Sequence, residues 1–153
     1  MKYYEDLEVG TKASFGHYEV TREEVLEFAS KYDPQPFHLD DEAAAQTYFG
    51  RVSASGWHTC AMTMRMMVEQ FTSQQVASLG SPGIDELRWI KPVYPGDTLR
   101  VESELIEKRR SKSKPHMGFT KTRQTTFNQH GEAVMSMIGN SIIGVRDPEA
   151  AGD

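Results

Sequence analysis

The chain has 153 residues, with 17 lysines and arginines against 22 aspartates and glutamates, a net charge of −5 and one cysteine. That length suits one domain, residues 1–153, with a core that needs no covalent staple, and the acidic balance speaks against wholesale nucleic-acid binding. Cys60 alone excludes an internal disulfide framework and a multi-cysteine zinc site. Lys12 to Val20 alternates loosely and predicts a first strand. Thr21 and Glu24 form a capping-box pattern ahead of Val25, Phe28 and Ala29, which predicts a helix to about Tyr32. Pro34 ends it. Asp40 suits the cap of a short alanine-rich helix from Asp41 to about Tyr48, with Gly50 as its stop.

The longest helical pattern begins after Gly56. Trp57, Cys60, Ala61, Met64, Met67, Val68 and Phe71 recur at three- and four-residue spacing. Met62 and Met66 widen the apolar surface, so this helix is expected to be largely enclosed, with Trp57 and the methionines in the core. His58 falls nearer the polar line marked by Arg65 and Glu69 and reads as a cap or surface residue. Four strands follow: Ile84 to Ile90, Thr98 to about Arg109, Met117 to Phe127 (rich in threonine) and Ala133 to Val145. The last two are joined by the tight N-Q-H-G turn, Asn128 to Gly131. Helices first and consecutive strands afterwards predict an α+β fold, an antiparallel sheet curled around the Trp57–Phe71 helix. The tail, 147–153, is expected to fray.

No apolar run approaches the ~18 residues of a membrane span, and M-K-Y-Y-E-D-L lacks the pattern of a secretion signal, so a cytoplasmic protein is expected.

Chemistry concentrates in Y-D-P-Q-P-F-H-L, Tyr32 to Leu39. Two prolines forbid a helix there and hold the segment in a bent, extended course, so Asp33 and His38 are able to converge. A carboxylate and an imidazole held together suit moving a proton to or from a water molecule near neutral pH. A turn aspartate bonded to backbone and a satisfied histidine are the structural alternative. Downstream, S-A-S-G-W-H (Ser53 to His58) places Gly56 at a helix start, where an unpaired N–H at the positive end of the dipole suits a polarised carbonyl oxygen. Ser55 reads as a cap or as part of that site. The H-L-D-D-E run, His38 to Glu42, is better explained by capping than by metal binding. Lys108 to Lys114 is a basic hairpin end, with contact to the phosphates of a ligand as the other reading, and Glu19, Glu23, Glu24 and Glu27 read as a solvated face.

D-P-Q-P-F-H resembles the D-x-N-P-x-H signature of MaoC-like dehydratases, the (R)-specific enoyl-CoA hydratase branch of the hotdog fold. S-G-W-H-T (Ser55 to Thr59), R-W-I-K-P-V-Y-P-G-D-T-L (Arg88 to Leu99) and N-Q-H-G-E (Asn128 to Glu132) extend the resemblance over roughly Asp6 to Val145. It departs at Gln35, where the family has asparagine, at Lys31-Tyr32, which replaces serine-glycine, and at Ser55, which replaces histidine. Met64 falls about where some members carry a serine, with Thr63 the closest hydroxyl. The resemblance implies a hotdog homodimer of fatty-acid metabolism, acting on an acyl-CoA thioester without metal or redox cofactor. It assigns Asp33 and His38 to catalysis of syn hydration of a trans-2-enoyl-CoA, or the reverse, with Gly56 and Ser55 binding the thioester. A hotdog thioesterase and a non-catalytic acyl-thioester-binding module are the alternatives.

Overall fold

The computed structural model describes residues 1–150. Strand β1, Lys12–Glu19, leads into helix α1, Arg22–Tyr32, and the short α2, Asp41–Ala45. The long helix α3, Gly56–Ser73, precedes β2 (Ser78–Trp89), β3 (Thr98–Arg110), β4 (Met117–Phe127) and β5 (Ala133–Gly144). The strands form one sheet in the order β1-β3-β4-β5-β2, every neighbour antiparallel. This is the α+β hotdog arrangement, with α3 laid across the concave face. Met62, Met66 and Met67 of α3 pack with Leu99, Val101, Val134, Met135 and Met137 of the sheet in the core. Close approach of β1 to the helix requires glycine at position 16, where a Cβ would run into the Met66 side chain and φ is +89°.

Several expectations change. Helix α2 stops at Ala45, three residues short, because the Gln46 and Thr47 N–H groups close a turn onto Ala43 and Ala44. Strand β2 starts six residues before Ile84. Gly80, Gly83 and Glu86 take positive φ along it, and its register slips repeatedly against β5. Pro82 is tolerated because this is an edge strand. The enclosure of α3 is one-sided: Trp57 is 59% exposed, Met64 49% and Val68 44%. The sheet covers one face of α3 and leaves these residues uncovered in a single chain.

The tail is not loose as far as residue 150. Arg110 donates to the carbonyls of Asp147, Pro148 and Ala150, and the Glu5 carboxylate takes the N–H groups of Arg146 and Asp147. The rest of the tail, 151–153, lies outside the described residues. No helix among the described residues is long and apolar enough to cross a membrane.

Candidate active site

Asp33 follows the last residue of α1 and closes the helix through its N–H to the Ala29 carbonyl. Pro34 blocks further helix, and Pro36 opens a single 3₁₀ turn, Pro36–His38, where a fixed φ and a missing N–H cost nothing. The turn swings His38 back toward Asp33. Nε2 of His38 stands 3.4 Å from Oδ2 of Asp33, in a position where the imidazole is 6% and the carboxylate 17% exposed. Nδ1 of His38 lies 2.6 Å from the Ser53 carbonyl oxygen, which only accepts, so Nδ1 carries a proton and Nε2 faces Asp33.

Gln35 donates to Oδ1 of Asp33 at 2.7 Å. Burial pushes the Asp33 carboxyl up, but Gln35, the Ser55 hydroxyl and the His38 charge outweigh it and hold it below the usual aspartate value. Ser55 Oγ is buried and makes no hydrogen bond of ordinary geometry. Its share is that of a nearby dipole rather than of a formed bond.

Ser55 stands at the N-cap of α3, yet its side chain does not cap the helix. The first carbonyl contacts of α3 are those of the His58 and Thr59 N–H groups with Ser55, so the Gly56 N–H is left without an intrahelical partner. Asp33, His38 and Gly56 line one cleft of about 440 Å³, together with Phe49, Trp57 and Trp89. Ser55 is fully buried and is not among the residues that line the cleft. The Trp89 indole lies against Gly56 so closely that no Cβ fits there.

Other site readings resolve as follows. Asp40 caps α2 through the Ala43 N–H, and Asp41 takes the Val52 N–H and pairs with Arg22. Met64 is exposed and Thr63 is bonded to Thr126, so Thr59 is the α3 hydroxyl that lines the cleft. The basic run sits at the β3–β4 hairpin, roughly 30 Å along the sheet from the strand ends at the cleft. There Lys108 bonds the Leu7 carbonyl and Arg109 covers Phe119. Within one chain it does not meet the cleft.

His58 and Glu24 depart most from their expected places. His58 is 3% exposed, stacks on Phe28 at 4.7 Å and meets Oε1 of Glu24 through Nε2 at 3.0 Å. The same oxygen accepts from the Tyr18 hydroxyl at 2.5 Å. Glu24 therefore leaves the reciprocal half of the capping box unmade, and this network ties β1, α1 and α3 together behind the site. Sequence spacing gives no signal for it, nor for the Ser53 carbonyl that orients His38.

An antiparallel sheet around one helix, with a carboxylate–imidazole pair facing a helix N-terminus, defines a hotdog domain of the dehydratase type. Residues 6–127 match the MaoC like domain family, and the chain belongs to that family. It superposes on the MaoC-like dehydratase from Rhodospirillum rubrum with a TM-score of 0.86 at 36% identity, covering 96% of this chain and 99% of that one. The (R)-hydratase from A. caviae involved in PHA biosynthesis superposes with a TM-score of 0.66 at 26% identity, covering 88% of this chain and 96% of that one. The 3-hydroxyacyl-thioester dehydratase Z of Mycobacterium tuberculosis is 34% identical over 88 residues, 57% of this chain and 58% of that protein.

Proposed function

We propose that the protein is an acyl-thioester hydro-lyase, adding water to a trans-2-enoyl-CoA to give the (R)-3-hydroxyacyl-CoA, or running the reverse dehydration. The observation that carries this reading is the 3.4 Å approach of His38 Nε2 to Asp33 Oδ2 in a cleft that also exposes Gly56. Asp33, held ionised, takes a proton from a water molecule as its oxygen bonds to C3. The C2=C3 π pair moves to C2 and charge gathers on the thioester oxygen, which the Gly56 N–H meets at the positive end of α3. His38, in its protonated form, gives the Nε2 proton to C2 from the same face, so addition is syn. Transfer of the proton from Asp33 to His38 restores the pair. The thioester itself activates C2 and C3, so the step calls on no metal or redox cofactor.

The same reading takes two copies of the chain as the working unit. Strand β2 is an unpaired edge, and Leu79, Ile84, Trp89 and Ile90 on or beside it are about half exposed, next to the uncovered Trp57, Met64 and Val68 of α3. An antiparallel edge is complementary to itself across a two-fold axis, and pairing there removes an apolar, unbonded border from water.

Incubation with a panel of 2-enoyl-CoAs tests the activity, with Asp33→Asn and His38→Ala as controls. Loss of enoyl absorbance without release of free thiol is expected, and both variants lose it while remaining folded. Thiol release indicates a thioesterase, binding without turnover indicates an acyl-binding module, and equal activity in all three proteins refutes the assignment.

A further inference from the structure

Farther along α3 from the cleft, between that helix and the sheet, lies a second cavity of about 250 Å³. Its sheet wall is mixed: Thr120, Thr122, Gln124 and Ser141 line it beside Phe15, Leu105 and Ile143, while Met67 and Phe71 stand on the helix wall with Gln70 and Gln74. This is the threonine-rich stretch of β4 turned inward, where a packed core asks for valine and isoleucine. Gln124 is 2% exposed, and its Oε1 has no hydrogen-bond partner. Folded proteins seldom leave a buried amide oxygen unsatisfied, so its place on a cavity wall points to a group that comes to it.

The two cavities lie in line. On α3, Thr59 borders the cleft, Thr63 follows four residues later and Met67 four after that, all on one face. On the sheet, Val134 borders the cleft, Thr126 pairs with Met135, and Gln124 pairs with Met137. The distance along β5 from Val134 to Met137 is about 10 Å. Between them, within the packed core, the buried Thr63 and Thr126 hydroxyls meet at 2.7 Å. A chain passing from the cleft to the second cavity has to part this contact.

We infer that the second cavity is the far half of the acyl pocket, selecting medium-length acyl chains that end in a neutral hydrogen-bonding group such as a hydroxyl. The inference rests on the acyl-thioester reading above. A terminal hydroxyl satisfies Gln124 and the threonines, whereas a methyl end displaces water from them and returns nothing. A charged end finds no fixed counter-charge inside, because the charged lining residues, Lys2, Asp6, Glu8 and Lys12, are exposed and of both signs.

Titration calorimetry with two unreactive ligands, dodecanoyl-CoA and ω-hydroxydodecanoyl-CoA, tests it. Wild type binds the hydroxylated chain roughly tenfold more tightly or better. Gln124→Leu brings that preference to unity or reverses it, and Thr126→Ile, which fills the passage, weakens both ligands. Equal binding in wild type, an unchanged preference in Gln124→Leu, or undiminished binding in Thr126→Ile overturns the inference. Hydration of crotonyl-CoA, whose acyl group ends within the cleft, reads the hydro-lyase assignment separately. Its absence alongside the expected binding pattern removes the activity and leaves the pocket standing.

Discussion

The His38 imidazole meets the Ser53 carbonyl at 2.6 Å, fifteen positions along the chain, and this contact sets which ring nitrogen is free to exchange a proton. Because a carbonyl never donates, Nδ1 is committed and Nε2 alone faces Asp33 and the cleft. His38→Gln keeps an amide donor for Ser53 but cannot shuttle a proton. It is expected to fold with a melting temperature near wild type and to lose about 10²–10⁴ in kcat. Activity within threefold of wild type means that Nε2 takes no part.

In the proposed reaction Asp33 serves as a base only while ionised. Its carboxyl is held below the ordinary 3.8, since the Gln35, Ser55 and His38 contributions exceed the opposing effect of burial. A lowered carboxylate keeps its contribution above its unfolded value and loses it as pH falls through the folded one. The acid limb of kcat/KM is therefore expected below 3.8. In Gln35→Leu, which removes one supporting bond, that limb moves up. A pH profile that does not move on this substitution contradicts the assignment.

Gly56→Ala drives a methyl group into the Trp89 ring, which lines the same cleft. The expected outcome is a fall in kcat/KM with a loss of about 1–3 kcal/mol of stability from overpacking. Adding Trp89→Ala makes room for the methyl group, so the double variant recovers stability relative to Gly56→Ala. Additive losses in a denaturation cycle exclude the clash as the cause.

Burial, with Glu24 reinforcing it, raises the Tyr18 hydroxyl to about 12 from the ordinary 10.0. A raised folded value means that the stabilisation is whole below the unfolded value and disappears as pH climbs through the folded one. Wild type is expected to lose stability between pH 10 and about 12. Tyr18→Phe should start roughly 1–3 kcal/mol lower at neutral pH, having lost a hydrogen bond to a charged group, and show less of that alkaline decline. Matching pH–stability curves for the two proteins rule out the Tyr18–Glu24 bond as a contributor.

Ile84→Glu plants a charge on the exposed edge strand without touching the core. Sedimentation of wild type is expected to report a dimer and that of the variant a monomer with unchanged far-ultraviolet dichroism. An unaltered mass in the variant assigns self-association to another surface.

Local patterns foretold β1, α1, α3, β3, β4 and β5 to within a residue or two, because capping, proline stops and period-two alternation act over a few residues. The first half of β2 escaped, since Pro82-Gly83 reads as a turn unless the strand lies at an edge, and edge position is a property of the sheet. Trp57 and Met64 were misplaced because apolar spacing says that a face wants cover and not whether the same chain supplies it. His58 and Glu24 were misplaced because their partners lie 34 residues apart.

By itself the sequence determined the order of elements, the proline-bent turn carrying Asp33 and His38, and the glycine at the head of the long helix. Only the tertiary structure decided that Nε2 rather than Nδ1 faces the carboxylate, that Ser55 is sealed away, and that inward threonines and Gln124 line a second cavity. Backbone preferences are written into neighbouring residues, whereas burial and hydrogen-bond partnership arise from segments that meet only when the sheet closes over the helix.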